Sequence, residues 1–589
     1  MKIFEANISY QVSIFLKEFL KTVTSFEFAN KKMINACGIN LFFDNDDDFQ
    51  TLLKLISASN INLLEEPDRT EYGDFQTNAK LANKVVQQLL SRNILPEIVI
   101  EPTCGKGNFI TASLSNFKTI KKIFGIEIYK PYVWETKFSI LDFFLSNPNA
   151  NKPEITIIHC SIFDFDFKKI SKQFSANKLL IIGNPPWVTN SKLGSLNSKN
   201  LPKKTNFKNQ NGLDAMTGKG NFDIAEYITL MLLDAFQTHK GHLSLLVKNS
   251  VVKNIVFDQK VKQYKIGEIE KYCIDSKKEF NVSVEASLLN CQLNSTPSFE
   301  CTEFDFYNLE NRLSFGWLNS KFVSNIADYN ETKDIDGLCP FEWRQGIKHD
   351  NSSIMELERL SGHFINKLSE EITLEEDLIY GFLKSSDLKN TVIKNTRKHI
   401  IVTQTKVGQE TSYIQHSYPE TYSYLKKNVS SFQARKSSIY KGKPLFSIFG
   451  IGDYSFKPFK VAISGLYKTY HFTLALPQNN KPVMLDDTCY FIGFDKIEYA
   501  VYSIILLNSK TTEEFLKSIT FSDAKRVFTK DLLMRLDLLK LASIIPQKEI
   551  EEQIIFLNNK YDLSINYSNW DSFINEMTPE KEKQLTIFG

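Results

Sequence analysis

Five short apolar runs constrain this chain more than anything else in it: residues 98–100, 123–128, 155–159, 179–182 and 242–247. Each is about as long as one strand, and each is continuous rather than alternating in polarity. A strand with one face in water alternates, whereas a strand covered on both faces does not. Stretches of mixed polarity and helical length separate the runs, so they read as a mainly parallel sheet with helices on both sides. This places an α/β domain at roughly 71–295. Its lead-in helix is residues 79–90, where Leu81, Val85, Val86 and Leu90 fall near one face.

A length of 589 residues leaves room for two or three domains of about 150 residues each. Residues 1–70 read as a helical N-terminal extension interrupted by Asp44, Asp46, Asp47 and Asp48. Residues 300–589 read as a second large unit of mixed α+β character. Short strands or buried segments are expected at 488–494 and 501–507, and a helix at 549–559 after Pro546.

Apolar residues make up 42% and charged residues 24% of the chain, enough to build real cores, so it is not disordered as a whole. Lys and Arg number 71 against 68 Asp and Glu. That balance excludes a histone-like basic protein while leaving room for local basic surfaces. No two of the eight cysteines have the CxxC spacing of a zinc site, and no metal site is expected. The N-terminal MKIFEANISYQVSIFLKEFL is interrupted by Glu5, Lys17 and Glu18, and it reads as an amphipathic helix, not a signal peptide. No run reaches the roughly 18 apolar residues of a membrane span. The expectation is a soluble, cytoplasmic protein.

Three motifs at strand ends carry the chemistry. In the first, Glu101-Pro102-Thr103-Cys104-Gly105-Lys106-Gly107-Asn108-Phe109 follows the first run. Its glycines let backbone approach a ligand where a side chain would not fit. It matches neither GxGxxG nor GxxxxGK[ST], and an acid at the strand end favours a cationic or hydroxyl-bearing ligand over a pyrophosphate. In the second, Glu127 closes the next run 26 residues later, where an acid can accept both hydrogens of a ribose diol. In the third, residues 179–183 run directly into Asn184-Pro185-Pro186-Trp187. Two prolines stiffen the turn and remove two backbone donors, so it presents mainly acceptors. The Asn184 side-chain oxygen and the Pro185 carbonyl can take both hydrogens of an NH2 group, and Trp187 offers a flat face to a planar ring. Accepting both hydrogens helps an aromatic amine turn its lone pair toward an electrophile.

With these residues in place the chain resembles the amino-methylating, S-adenosylmethionine-dependent DNA methyltransferases, specifically the adenine-N6 enzymes of bacterial restriction-modification systems. The resemblance covers roughly 70–295 strongly and 300–560 more loosely. It implies a Rossmann-like class I methyltransferase domain followed by a C-terminal target recognition domain that clamps duplex DNA. Tyr72-Gly73-Asp74-Phe75-Gln76-Thr77 is similar to the family's N-terminal cofactor segment. The resemblance thereby implies cofactor contacts for Phe75 and Thr77, for Glu101, Thr103, Gly105, Gly107 and Asn108 of the first loop, for Glu127 at the ribose, and for Asn184. Asn184, Pro185, Pro186 and Trp187 become the catalytic motif, and Phe280 an aromatic that helps hold a flipped base. Where the family usually has an acid at the cofactor adenine, this chain has Ser161, followed by Ile162. A serine hydroxyl accepts a hydrogen bond without charge assistance, so weaker cofactor binding is expected. Residues 221–226 and 241–247 resemble later segments of the same domain. Residues 461–468, 486–490 and 522–526 resemble segments of the recognition domain.

Two stretches suit a polyanion. Residues 188–221 carry six lysines against Asp214 and read as a mobile loop over the target base. Residues 384–443 carry 12 Lys and Arg against Asp387, Glu410 and Glu420, with Tyr413, Tyr418, Tyr422 and Tyr424 among them. Cytosine-N4 methylation, glutamine or guanine-N2 methylation on the same motif, and a non-catalytic DNA-binding scaffold remain alternatives. Glu135-Thr136-Lys137 and Glu331-Thr332-Lys333 have the Glu-x-Lys spacing of a nuclease site but no convincing upstream Asp. DNA cleavage is therefore expected in a separate cognate restriction endonuclease.

Overall fold

The structure, a computed structural model, describes residues 8–57, 76–174, 178–189, 223–360, 362–521 and 526–579. It divides into two compact units, residues 1–322 and 323–589.

The first unit is built on one ten-stranded sheet. Its strands are β1 (Ile98–Glu101), β2 (Lys122–Glu127), β3 (Glu154–His159), β4 (Leu179–Gly183), β5 (Gly241–Lys248), β6 (Ile266–Ile274), β7 (Ala286–Leu293), β8 (Glu300–Asp305), β9 (Asn311–Leu318) and β10 (Lys321–Val323). They lie in the order β10-β9-β8-β6-β7-β5-β4-β1-β2-β3. The five apolar runs are β1 to β5, all parallel to their neighbours among themselves, while β7 is antiparallel to both β5 and β6. Every residue of β1 and β4 is buried, as continuous apolar strands require.

The expected boundary near 295–300 moves to 322/323, because β8 to β10 extend the same sheet beyond β6. Their burial is patchy, so their sequences lack the continuous run that marks the covered strands.

The N-terminal helices α1 (Tyr10–Leu20), α2 (Phe26–Cys37) and α3 (Asp46–Ser57) belong to this unit. Next along the chain come α4 (Ala79–Ser91), α5 (Asn108–Asn116) and α6 (Lys130–Ser146). On α4, Leu81, Ala82, Val85, Val86 and Leu89 are buried, each Leu or Val stabilising by roughly 1.5–3 kcal/mol. Helix α6 is buried almost all round, because α1 and α2 pack on the side away from the sheet.

The acidic tract therefore does more than interrupt helices. Asp46, Asp47 and Asp48 occupy the first turn of α3, where negative charge suits the helix dipole. Asp44 and Asp48 also pair with Lys130, and Asp44 lies 3.0 Å from the fully buried Lys137 of α6. Lys137 also donates to the Phe42 carbonyl at 3.0 Å. A buried ammonium needs such partners, since its uncompensated desolvation costs several kcal/mol.

The second unit holds two further sheets. One has the order Arg344–Gln345, Cys489–Phe494, Phe459–Ser464, Thr473–Ala475, Val392–Ile393. The other has the order Glu371–Ile372, His363–Asn366, Glu356–Leu360, Lys398–Ile401, Ile379–Leu383, Met484–Leu485. The run 501–507 is the end of a helix, Ile497–Leu507, buried on nearly every side. A short apolar run does not by itself separate a buried helix from a buried strand. The expected C-terminal helix spans Gln547–Tyr561. Among the described residues no helix is long and apolar enough to cross a membrane.

Candidate active site

Strands β1 and β4 are parallel neighbours, with Ile98 beside Leu179. Strand order reverses between them, which opens a crevice at their carboxyl ends. The loops after β1, β2, β3, β4 and β5 all leave at that edge, so the motifs that are separate in sequence meet there.

The turn after β1 is held from three sides. Gly105 has φ +51° and Gly107 has φ +76°, values that favour glycine. One Glu127 carboxylate oxygen accepts the Gly105 N–H at 2.8 Å, and the other accepts the Tyr129 N–H at 2.7 Å. Both oxygens face the backbone at the carboxyl ends of β1 and β2, the edge at which a diol would have to lie. The Thr136 hydroxyl of α6 donates to the Gly105 carbonyl at 2.8 Å. Asn108 donates to the Thr77 carbonyl at 2.8 Å, tying the 76–78 segment to the start of α5. Phe75 lies outside the described residues.

Glu101 is only 2% exposed, and its Oε2 has no hydrogen-bond partner among the described residues. Burial pushes its carboxyl well above the ordinary range, and the nearby Glu127 charge adds to the effect. The Thr77 hydroxyl is likewise buried without a partner among the described residues. A buried acid seeking a cation, a second acid placed for a diol and a spare hydroxyl fit a ligand that carries both positive charge and a ribose. Burial and the charges of Glu101 and Glu127 push the Cys104 thiol well up, away from the thiolate that a nucleophile needs.

The turn after β4 touches the turn after β1 directly, for the Thr103 hydroxyl donates to the Asn184 carbonyl at 3.3 Å. Asn184 and Pro186 are partly exposed, while Pro185 and Trp187 are buried. The Trp187 indole N–H donates to the Leu246 carbonyl of β5 at 3.1 Å. Its ring meets Phe280 edge to face, with centroids 4.9 Å apart. Phe280 closes the short helix Ser276–Phe280, whose Glu279 accepts from Asn78 at 3.4 Å. Ser161 and Ile162 follow β3 at the same edge; Ile162 is buried, and the Ser161 hydroxyl accepts the Phe163 N–H at 3.3 Å.

Sequence reasoning missed Gln76 and Thr136, which line the glycine turn, and Asp223 and Lys248 beside the proline turn. Thr136 sits in a helix whose polar spacing is masked by its burial on all sides. The Glu-x-Lys at 135–137 is structural, since Glu135 pairs with Lys106 at 3.5 Å and Lys137 with Asp44. Of the lysine-rich loop expected at 188–221, only Val188 and Thr189 are described.

In the second unit the basic, tyrosine-rich stretch is partly absorbed by the fold. Tyr424 is buried, donates to the Ile354 carbonyl at 2.9 Å and accepts from Asn366 at 2.9 Å. Arg435 donates to the Ser447 and Leu445 carbonyls at 2.7 and 2.8 Å. Lys384 and Lys398 pair with the buried Glu356 at 2.6 and 3.3 Å. Lys389, Lys394, Arg397, Lys406, Lys436, Lys441 and Lys443 stay exposed. His349, Glu356 and Asp486 bring ligand atoms within 4.8 Å of one another. The Lys384 ammonium lies 2.6 Å from Glu356 and 3.7 Å from Asp486, so cationic side chains already offset the charge of this cluster.

No family model matches the chain. It is 39% identical over 483 residues to the Type II methyltransferase M.NspV of Nostoc sp., an alignment covering 82% of this chain and 99% of the relative. It is similar in fold to the Type IIL restriction-modification enzyme MmeI solved in complex with DNA. There the TM-score is 0.51 at 13% identity, covering 85% of this chain and 70% of the other.

Proposed function

The chain belongs to the S-adenosylmethionine-dependent DNA methyltransferases of restriction-modification systems, and from that premise we propose that it methylates the exocyclic N6 of a target adenine in duplex DNA through Asn184-Pro185-Pro186-Trp187. The single observation that carries this reading is the Thr103–Asn184 hydrogen bond, 3.3 Å. It couples the turn suited to the cofactor to the turn suited to the amine.

S-adenosylmethionine, when bound, supplies a methyl group on a sulfonium, an electrophile that needs no further activation. Glu127 would hold its ribose, and Glu101 with Thr77 would face its methionine part. Gly105 and Gly107 would admit it close to backbone, and Ser161 with Ile162 would border its adenine. The target adenine must leave the stack to be reached. The Asn184 side-chain oxygen and the Pro185 carbonyl then accept the two N6 hydrogens and turn the lone pair outward. Trp187, braced by Phe280 and by the Leu246 carbonyl, gives the base an aromatic wall. Neither a covalent intermediate nor a metal is called for in the transfer, so alignment carries most of the acceleration. Residues 323–589, with their exposed lysines, would grip phosphates and read base edges as the target recognition domain. Cleavage of unmodified DNA would fall to a separate cognate endonuclease.

The test is to incubate the protein with duplex DNA and S-adenosylmethionine and analyse the nucleosides after digestion. N6-methyladenine is the expected product. N4-methylcytosine would transfer the same chemistry to the other base, and an unmodified duplex would overturn the reading.

A further inference from the structure

Beyond the expected motif, one ion pair stands where the acceptor turn is anchored. After Trp187 the chain passes through Val188 and Thr189, and it is next described at Asp223. Thr189 and Asp223 pair as an isolated antiparallel bridge, and the Ile224 N–H donates to the Val188 carbonyl at 2.9 Å. Asp223 caps the helix Ile224–Phe236 by accepting the Ala225 N–H at 2.9 Å. Its other oxygen lies 2.5 Å from the Lys248 ammonium, with the two side chains only 11% and 16% exposed. Lys248 is the last residue of β5, two beyond the Leu246 carbonyl that holds the Trp187 indole.

Lys248 also directly precedes the helix Asn249–Lys262. A cation at a helix N-terminus is opposed by the helix dipole, so the ammonium is not placed there for the helix. Asp223 makes it tolerable, and the pair closes a ring running from β4 through residues 187–189 and Asp223 to β5 and back to Trp187.

We propose that Asp223 and Lys248 are a positioning pair that fixes the Asn184–Trp187 turn against β5 and thereby sets where the two amine acceptors stand relative to a flipped base. The inference rests on the reading of that turn as the adenine site. A mostly buried pair that loses one partner leaves the other charge uncompensated, so the anchor responds to either substitution. A displacement of about 1 Å in an aligned site costs up to ~100-fold in rate.

The experiment compares wild type with Asp223→Asn, Lys248→Met and Lys248→Arg. It measures kcat, the KM for S-adenosylmethionine, the melting temperature and the emission of a duplex carrying 2-aminopurine at the target position. Asparagine keeps the helix cap, so Asp223→Asn tests the charge alone. Expected are kcat losses of about 10- to 100-fold in Asp223→Asn and Lys248→Met. The cofactor KM should stay essentially unchanged, the 2-aminopurine emission should rise less on binding, and Lys248→Arg should recover most of kcat. Wild-type kcat in both disrupting variants would overturn the proposal while leaving the adenine reading intact. Losses of kcat matched by equal losses of cofactor binding and melting temperature would also overturn it, by making the pair general framework. A wild-type enzyme that leaves adenine unmethylated would remove the underlying reading first, and this proposal with it.

Discussion

Glu101 is the residue whose chemistry is most exposed to test. Its carboxyl binds a proton more tightly in the folded chain than in the unfolded one, because burial and the Glu127 charge raise it. Folded stability therefore falls as pH rises from the ordinary carboxyl value through the raised one. Glu101→Gln removes that cost, so the free protein should melt no lower than wild type at neutral pH, and higher if anything. The same change should weaken S-adenosylmethionine about tenfold, the loss of roughly one charge-assisted contact. Wild-type affinity should also rise with pH, because a cationic ligand favours the ionised carboxylate, and the variant should lose that dependence. Thermal melting with and without cofactor checks both, and a variant that melts lower yet binds equally well would contradict the assignment. Glu101 and Glu127 were legible in sequence as acids closing apolar runs. That Glu127 also accepts the Gly105 and Tyr129 N–H groups was not, because those partners are fixed only by the closed turn.

At the scale of elements the two glycines differ in a way that the structure resolves. A methyl group on Gly105 would meet the end of the Gln76 side chain, which can move. On Gly107 it would come within 2.7 Å of the Thr136 Cγ2, on a stiff β-branched side chain packed in α6. Gly107→Ala should therefore destabilise by more than the ~1–2 kcal/mol of the left-handed backbone alone, and Gly105→Ala by about that much. Equal melting temperatures for the two variants would refute the argument. Strands β1, β4 and β5 are readable because burial on both faces writes continuous apolar sequence, while β2 and β3, toward the sheet edge, are apolar runs only partly covered. Strands β8 to β10 were not readable as part of the same sheet, since a partly exposed strand does not announce its partner. The tyrosines teach the same lesson from the other side. Thr421, Tyr424 and Leu425 form the buried face of the helix Pro419–Lys427, a spacing of three and four that marks Tyr424 as core in spite of its lysine neighbours.

For the whole molecule the near-neutral charge balance hides separate basic surfaces, such as the exposed lysines between 389 and 443. Phosphate contacts release counterions, so DNA affinity should fall linearly in log–log form as salt rises. A salt-independent affinity, measured by titration of a labelled duplex, would contradict the assignment of those lysines to DNA. The account as a whole depends on an amine presented by Asn184 and Pro185 beside the cofactor turn. The most direct test is transfer of labelled methyl from S-adenosylmethionine to duplex DNA by wild type and Asn184→Ala, with cofactor binding measured in parallel. The account predicts adenine labelling by wild type, a loss of at least ~100-fold in the variant, and cofactor affinity within a few-fold of wild type. Methylation by Asn184→Ala at the wild-type rate would contradict it.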